Sequence, residues 1–182
     1  MSTVSQVRET LPVGTWQIDT VHSHVGFAVD IVGGAFRGTF SPVEATLTVD
    51  ENGQASLTGS TRAEHVKVQD ENLNAHLLTP DFFDAEQAPV ISFVSSDVRR
   101  AGSDVAAAGE LTVKGVARPV ELTGTIGKPA VDAYGRERFL LTLSTVIDRR
   151  QFGIDWNAPL PNGEPSVAND VTLVAELHLI KE

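Results

Sequence analysis

The sequence contains no cysteine, which excludes disulfides, thiolate metal sites and cysteine nucleophiles. It also lacks any run of about 18 apolar residues, the length that a membrane-spanning helix needs. Basic residues are scarce, 14 against 24 acidic ones, and the formal net charge of -10 repels the phosphates of nucleic acids and the headgroups of anionic lipids. Nucleic acid is therefore not expected as a partner.

The first residues contain no apolar stretch of the length found in a secretory signal, which favours a cytoplasmic location. Residues 1–13 have little to bury and are predicted to form a flexible N-terminal arm. Residues 14–182 have a length typical of a single domain. With 41% apolar and 21% charged residues, the composition is that of an ordinary globular protein.

Apolar side chains recur at every second position in several segments, as they do in half-buried β-strands. Residues 25–31 are the clearest case, and turn signals such as Asn52-Gly53 and Lys114-Gly115 separate the segments. The pattern predicts an antiparallel all-β meander. The predicted strands are 23–31, 36–40, 43–50, 55–67, 90–98, 105–114, 117–127, 137–147 and 170–180.

One segment, between residues 70 and 88, breaks the strand pattern. Leucines recur there at helical spacing after Asp70, a side chain well suited to cap a helix N-terminus. A second short helix is predicted to start at Thr79-Pro80, because proline is tolerated at the first helical position. We therefore expect one or two short helices beside the strands.

Five motifs follow one another along residues 14–154. They are GTWQIDTVHSHVGFAV, RGTF, HLLTPDFFD with PVISFVS after it, GELTVKGVARPVEL, and DRRQFGI. In this order and spacing, and over residues 14 to 180 as a whole, they resemble the YceI-like family of polyisoprenoid-binding, lipocalin-like lipid carriers. The resemblance implies an eight-stranded antiparallel barrel with the short helices at its side. It also implies non-catalytic binding, transport or storage of a polyprenol or quinone-like lipid, with no other cofactor.

An eight-stranded barrel is wide enough for its own side chains or for one slender ligand. Small inward residues are predicted to leave room for that ligand: Ala45, Gly59, Ala63, Gly124 and Ala175. The predicted apolar lining consists of Val25, Phe27, Val29, Leu47, Phe82, Phe83, Phe93, Leu111, Phe139, Leu141 and Leu173. Arg149 and His76 are the predicted polar groups at the mouth, since an arginine can bind phosphate oxygens in a bidentate way.

Two other functions fit parts of the sequence. His22 and His24 flank Ser23 and offer imidazoles to a metal-dependent enzyme, although no third ligand or G-x-S-x-G nucleophile elbow accompanies them. A barrel filled by its own side chains would instead serve as an interaction or stress-response module, with edge strands pairing in a homodimer. For a carrier, transient contact with a membrane is expected.

Overall fold

The computed structural model describes residues 10–182, and most of them are in β-strands. The strands are β1 Gly14–Ile18, β2 His24–Ile31, β3 Gly34–Phe40, β4 Glu44–Val49, β5 Ala55–Arg62, β6 Val66–Lys67, β7 Val90–Ala101, β8 Asp104–Val113, β9 Val116–Ile126, β10 Ala130–Val131, β11 Glu137–Asp148 and β12 Val167–Lys181. One α-helix, α1, spans Glu71–Leu77, and short 3₁₀ helices span Ala63–His65 and Arg149–Phe152.

Eight of these strands close into an antiparallel barrel in the order β11, β9, β8, β7, β5, β4, β1, β12, with β12 pairing back onto β11. The predicted barrel is confirmed. One edge of β12 follows β11 along its length, whereas the other edge pairs first with β2, over residues 167–176, and then with β1, over residues 179–181. The β2–β3 hairpin thus prolongs the wall beyond β1. Strand β1 was not predicted from the sequence, because five residues are too few to show an alternation.

The predicted helix after Asp70 is confirmed as α1, and the Asp70 side chain accepts a hydrogen bond from the backbone N–H of Leu73 at 2.9 Å. The second predicted helix is wrong. The chain beyond Thr79 forms hydrogen-bonded turns, and Asp84 has a positive φ of 51°, which ends any right-handed helical path before β7. Over residues 10–182, no helix is long and apolar enough to cross a membrane.

One end of the barrel is solid. Its centre is Trp16, which is 0% exposed and meets the ring of Phe139 edge-to-face at 4.6 Å. Leu47, Leu141 and Leu179, also 0% exposed, fill the space around the two rings. This packed cluster supplies most of the apolar burial at this end and holds the closing pair of strands together.

The predicted flexible arm, residues 1–13, falls mostly outside the described residues, which begin at Thr10. Leu11 is 3% exposed and packs into the core. The carbonyl of Pro12 accepts a hydrogen bond from Trp16 Nε1 at 2.9 Å. Leu11 and Pro12 therefore belong to the packed domain rather than to a loose arm, because Leu11 contributes apolar area to the solid end.

Candidate ligand-binding cavity

The other half of the barrel is hollow and contains two adjoining cavities. The inner cavity has a volume of about 140 Å³ and the outer cavity, nearer the rim, about 180 Å³. Five residues border both cavities: Val25, Thr61, Ile91, Leu111 and Leu173. Because they share these lining residues, the two apolar cavities lie next to each other and together extend from the middle of the barrel toward its rim.

The space begins where three small residues from different strands meet. Ala45 on β4 is directly paired with Gly59 on β5, and Ala175 on β12 is paired with both Leu143 and Val25. All three small residues border the inner cavity. Side chains no larger than a methyl group at this level leave volume that leucines fill at the solid end.

The other two predicted small residues leave no channel. A Cβ atom on Gly124 would lie 1.7 Å from the backbone oxygen of Thr142, so this glycine allows β9 and β11 to approach closely. Ala63 is 0% exposed and lies in a 3₁₀ helix, away from both cavities. Alternation alone did not distinguish a residue facing the bore from one packed against backbone.

Most of the predicted apolar lining borders the cavities: Val25, Phe27, Val29, Phe82, Phe83, Phe93, Leu111 and Leu173. The prediction needs correction for Leu47, Phe139 and Leu141, which border neither cavity. They face inward as expected but lie at the solid end, in contact with Trp16 or its neighbours. The strand period gives the face of a residue, whereas its depth along the barrel depends on register.

Several residues of the cavity wall were not predicted from the sequence. Ile91 on β7 borders both cavities, and Phe36 and Phe40 on β3 border the outer one. Phe36 and Phe40 lie on one face of the predicted strand 36–40, and Ile91 lies on the same face as Phe93, so the period of two was a usable signal. Thr61 was less predictable: its Oγ1 donates to the Pro42 carbonyl at 2.8 Å, so the hydroxyl is satisfied within the wall.

Arg149 lies in the wall of the outer cavity but is only 5% exposed. Its Nε donates to the carbonyl of Ala168 at 2.9 Å, and Nη1 donates to the carbonyls of Ile154 and Trp156 at 3.1 and 2.8 Å. A longer contact of 3.5 Å joins Nη2 to the carbonyl of Val167. Burial lowers the pKa of this guanidinium, against the opposing effect of nearby carboxylates.

The predicted headgroup role of Arg149 stays a prediction. The guanidinium holds residues 154–168 in place through backbone carbonyls and does not stand at an open mouth. This loop brings Ile154 and Val167 to the wall of the outer cavity. Arg149 consequently shapes the cavity indirectly.

His76 borders neither cavity. Its Nε2 lies 2.9 Å from Asp81 Oδ2, and its ring meets Phe82 and Trp156 edge-to-face at centroid distances of 4.9 and 5.0 Å. Phe82 in turn borders the outer cavity. His76 thus stands on the outer side of the segments that close the cavity, not at the polar mouth that the sequence predicted.

Lys114, in the β8–β9 turn, connects two segments that cover the outer cavity, residues 80–83 and 153–156, which we call the closing segments. Its Nζ donates to the carbonyl of Pro80 and, at 3.1 Å, to the carbonyl of Gly153. Pro80 precedes Phe82 and Phe83, and Gly153 precedes Ile154, all of which border the outer cavity. One cation therefore fixes the relative positions of two segments that cover the hollow end.

His22 and His24 lie in different surroundings. His22 lies in the turn before β2, where its Nδ1 is 2.7 Å from Asp19 Oδ2, and His24 is the first residue of β2. Within the described range, no group of three His, Asp or Glu side chains is placed to hold a metal ion. The ring of His22 instead lies beside the ring of His178, with 5.9 Å between the two ring centroids.

Asp19 organises this turn. It accepts hydrogen bonds from Arg138 Nη2 at 2.8 Å and from the backbone N–H of Val21 at 2.9 Å, in addition to its contact with His22. Burial raises the pKa of the Asp19 carboxyl, but the hydrogen bonds from His22, Arg138 and the backbone outweigh it and hold the pKa well below its usual range. The ionised carboxylate thus stabilises the break between β1 and β2.

A family model described as the YceI-like domain matches residues 16–179. The match covers six of the eight barrel strands completely, and β1 and β12 in part. The chain belongs to the YceI-like family.

Relatives of this YceI-like chain are found in several bacteria. It is 27% identical over 136 residues to protein YceI of Escherichia coli O17:K52:H18 (strain UMN026 / ExPEC), covering 73% of this chain and 71% of the relative. It is 29% identical over 142 residues to a UPF0312 protein of Pseudomonas putida (strain GB-1), with coverage of 73% and 71%.

Solved structures share the fold of the YceI-like chain. Burkholderia cenocepacia BcnA superposes with a TM-score of 0.74 at 23% identity, covering 91% of this chain and 99% of BcnA. A polyisoprenoid binding domain from Saccharophagus degradans, implicated in plant cell wall breakdown, superposes with a TM-score of 0.66 at 11% identity, covering 94% and 100%. At these identities the likeness establishes the fold.

Replacing Asp19 with asparagine is expected to lower the free energy of unfolding at neutral pH by about 1 kcal/mol, because the bonds from His22 and Arg138 lose their charge assistance. The native pKa lies below the unfolded value of about 3.9, so this contribution is complete above that value and is lost as pH falls toward the native pKa. Urea unfolding of both proteins at neutral pH and at about pH 3 measures the change. A stability difference of the same size at both pH values would contradict the prediction.

Proposed function

We propose that this protein binds the apolar chain of an isoprenoid lipid, such as a polyprenol or a quinone-like amphiphile, inside the hollow half of the barrel. It transports or stores the lipid without changing it chemically. The observation that carries this proposal is the apolar space formed by the two adjoining cavities. Membership of the YceI-like family and the fold shared with a domain described as polyisoprenoid-binding support it.

The cavity volumes indicate how much chain fits. A dry apolar cavity of about 150 Å³ holds one benzene molecule, six carbons in all. By the same measure, cavities of about 140 and 180 Å³ together hold roughly two or three five-carbon isoprene units. The remainder of a longer chain would extend past the rim or displace side chains of the closing segments.

The energetics suit reversible loading. Moving a chain from water into the barrel is worth about 0.8 kcal/mol per carbon, but the chain would otherwise sit in a bilayer that is equally apolar. The exchange between bilayer and barrel is therefore close to balance. The fit of the chain to the cavity then decides which lipids are taken up.

The lining supports binding rather than catalysis. Among the residues that border the two cavities, Arg149 is the only charged one, and its guanidinium is held by backbone carbonyls. The other polar lining residues are serines and threonines. A chain within this space would meet aliphatic and aromatic side chains, which offer no general acid or base.

Mass spectrometry of organic extracts from the purified protein tests the proposal, together with uptake of polyprenols by protein that has first been delipidated. We expect an isoprenoid at about one molecule per chain, or saturable uptake of a short polyprenol. Protein that repeatedly yields no lipid and takes up no polyprenol would refute the proposal.

A further inference from the structure

The apolar face of the cavity continues beyond the rim along the β2–β3 hairpin. Val29 and Phe36 are directly paired and both border the outer cavity. Ile31 is the next residue of β2 on the same face, because side chains alternate along a strand. It pairs with Val167, which also borders the outer cavity. The inward-facing side chains of β2 thus remain apolar as the strand extends beyond the rim of the barrel.

The end of this hairpin is apolar, and its turn is exposed in the part of the chain that the structure describes. We call residues 31–36, with the sequence IVGGAF, the hairpin tip. Ile31 is 41% and Val32 60% exposed, and a Cβ atom added to Gly33 or Gly34 would meet nothing within 4 Å. The tip carries no charge, and Asp30 and Arg37 flank it with opposite signs.

We propose that the hairpin tip inserts Ile31 and Val32 into the headgroup region of a zwitterionic bilayer. This inference rests on the proposed function: a lipid chain would then pass between bilayer and outer cavity along the apolar face of β2 and β3. The lipid chain would not have to cross water, and exposure to water is the largest barrier to the exchange of an apolar chain.

Size and charge favour a bilayer over a second copy of the chain as the occupant. A stable protein interface buries about 1,200 Å² or more, which the two inserted side chains cannot supply. Two chains of formal net charge -10 also repel one another. A small apolar insertion provides weak, reversible binding to a bilayer, as a shuttle requires, and the net charge disfavours anionic surfaces.

Transfer of a fluorescent farnesol from loaded protein to phosphatidylcholine vesicles tests the inference. For the native protein, we expect a transfer rate that rises in proportion to vesicle concentration, as in transfer by contact. The double variant Ile31→Ser/Val32→Ser should transfer about tenfold more slowly, because the apolar insertion is lost. A matched control, Val94→Ser/Val131→Ser, changes two valines that are 57% and 66% exposed elsewhere, and its rate should stay native.

A second readout needs no bound lipid. Tryptophan at position 32, in the variant Val32→Trp, should show blue-shifted emission when phosphatidylcholine vesicles are added and a smaller shift with anionic vesicles. Transfer independent of vesicle concentration, equal rates in the tip and control variants, or no emission shift would overturn the inference. Failure of the native protein to take up the farnesol would refute the proposed function instead, and the emission shift would still decide whether the tip binds a bilayer.

Discussion

Replacing Ala175 with phenylalanine is expected to weaken binding of an isoprenoid probe strongly while the barrel stays folded. Ala175 borders the inner cavity, whose volume of about 140 Å³ is close to the space that one benzene ring occupies. The new ring would fill that space and leave only the outer cavity. The leucines and aromatic rings of the solid end are unchanged, so the cost to folding should stay at about 1–3 kcal/mol, typical of overpacking.

Titration of delipidated protein with a fluorescent farnesol measures this effect, and we expect affinity to fall by roughly 100-fold or more, since about six carbons lose their burial. Ala175→Leu should give an intermediate loss. Ala117→Phe places the same ring at an exposed position on β9 and should bind as the native protein does. Native-like affinity in Ala175→Phe, with far-UV circular dichroism unchanged, would show that the chain does not occupy the inner cavity.

Replacing Arg149 with methionine is expected to cause the largest loss of stability, roughly 3–5 kcal/mol. Methionine fills similar volume but donates no hydrogen bond, so the carbonyls of Ala168, Ile154 and Trp156 lose their partner in a buried setting. Residues 154–168 should loosen first. Because this loop forms part of the outer wall, lipid uptake should weaken as well.

Urea unfolding and amide hydrogen exchange over residues 154–168 check this prediction. Arg149→Lys should recover only part of the stability, because one ammonium group cannot reach carbonyls spread around a planar guanidinium. Arg150→Met is the matched control: Arg150 is 59% exposed and bonds mainly to Asp148, so its loss should change stability little. An Arg149→Met protein as stable as the native one would contradict the structural role.

Much of the fold was accessible from the sequence. The period-two pattern predicted most of the strands, and the order of five motifs predicted the closed barrel. The cap at Asp70 marked the start of α1. The prediction of a second helix was wrong because Thr79-Pro80 is equally compatible with the start of a helix and with a turn. Local propensity does not distinguish them when the chain must turn back into β7.

The candidate site was predicted less completely, and His76 and Arg149 show why. Both were chosen for their chemistry as headgroup ligands. His76 instead contacts Asp81, Phe82 and Trp156 on the outer side of the closing segments. The role of Arg149 depends on carbonyls supplied by a loop, and backbone carbonyls leave no signature in a sequence.

The family and the antiparallel strands could be predicted from the amino-acid sequence, because they follow from motif order and local alternation, and alternation also gave the inward face of most strands. The division of the barrel into a solid half and a hollow half became visible only in the folded chain. Ala45, Gly59 and Ala175 come from three strands and all border the inner cavity, where Ala45 pairs with Gly59 and Ala175 pairs with Leu143. Register is set by long-range pairing of whole strands, so the depth of a residue in the bore cannot be predicted from its neighbours in the chain.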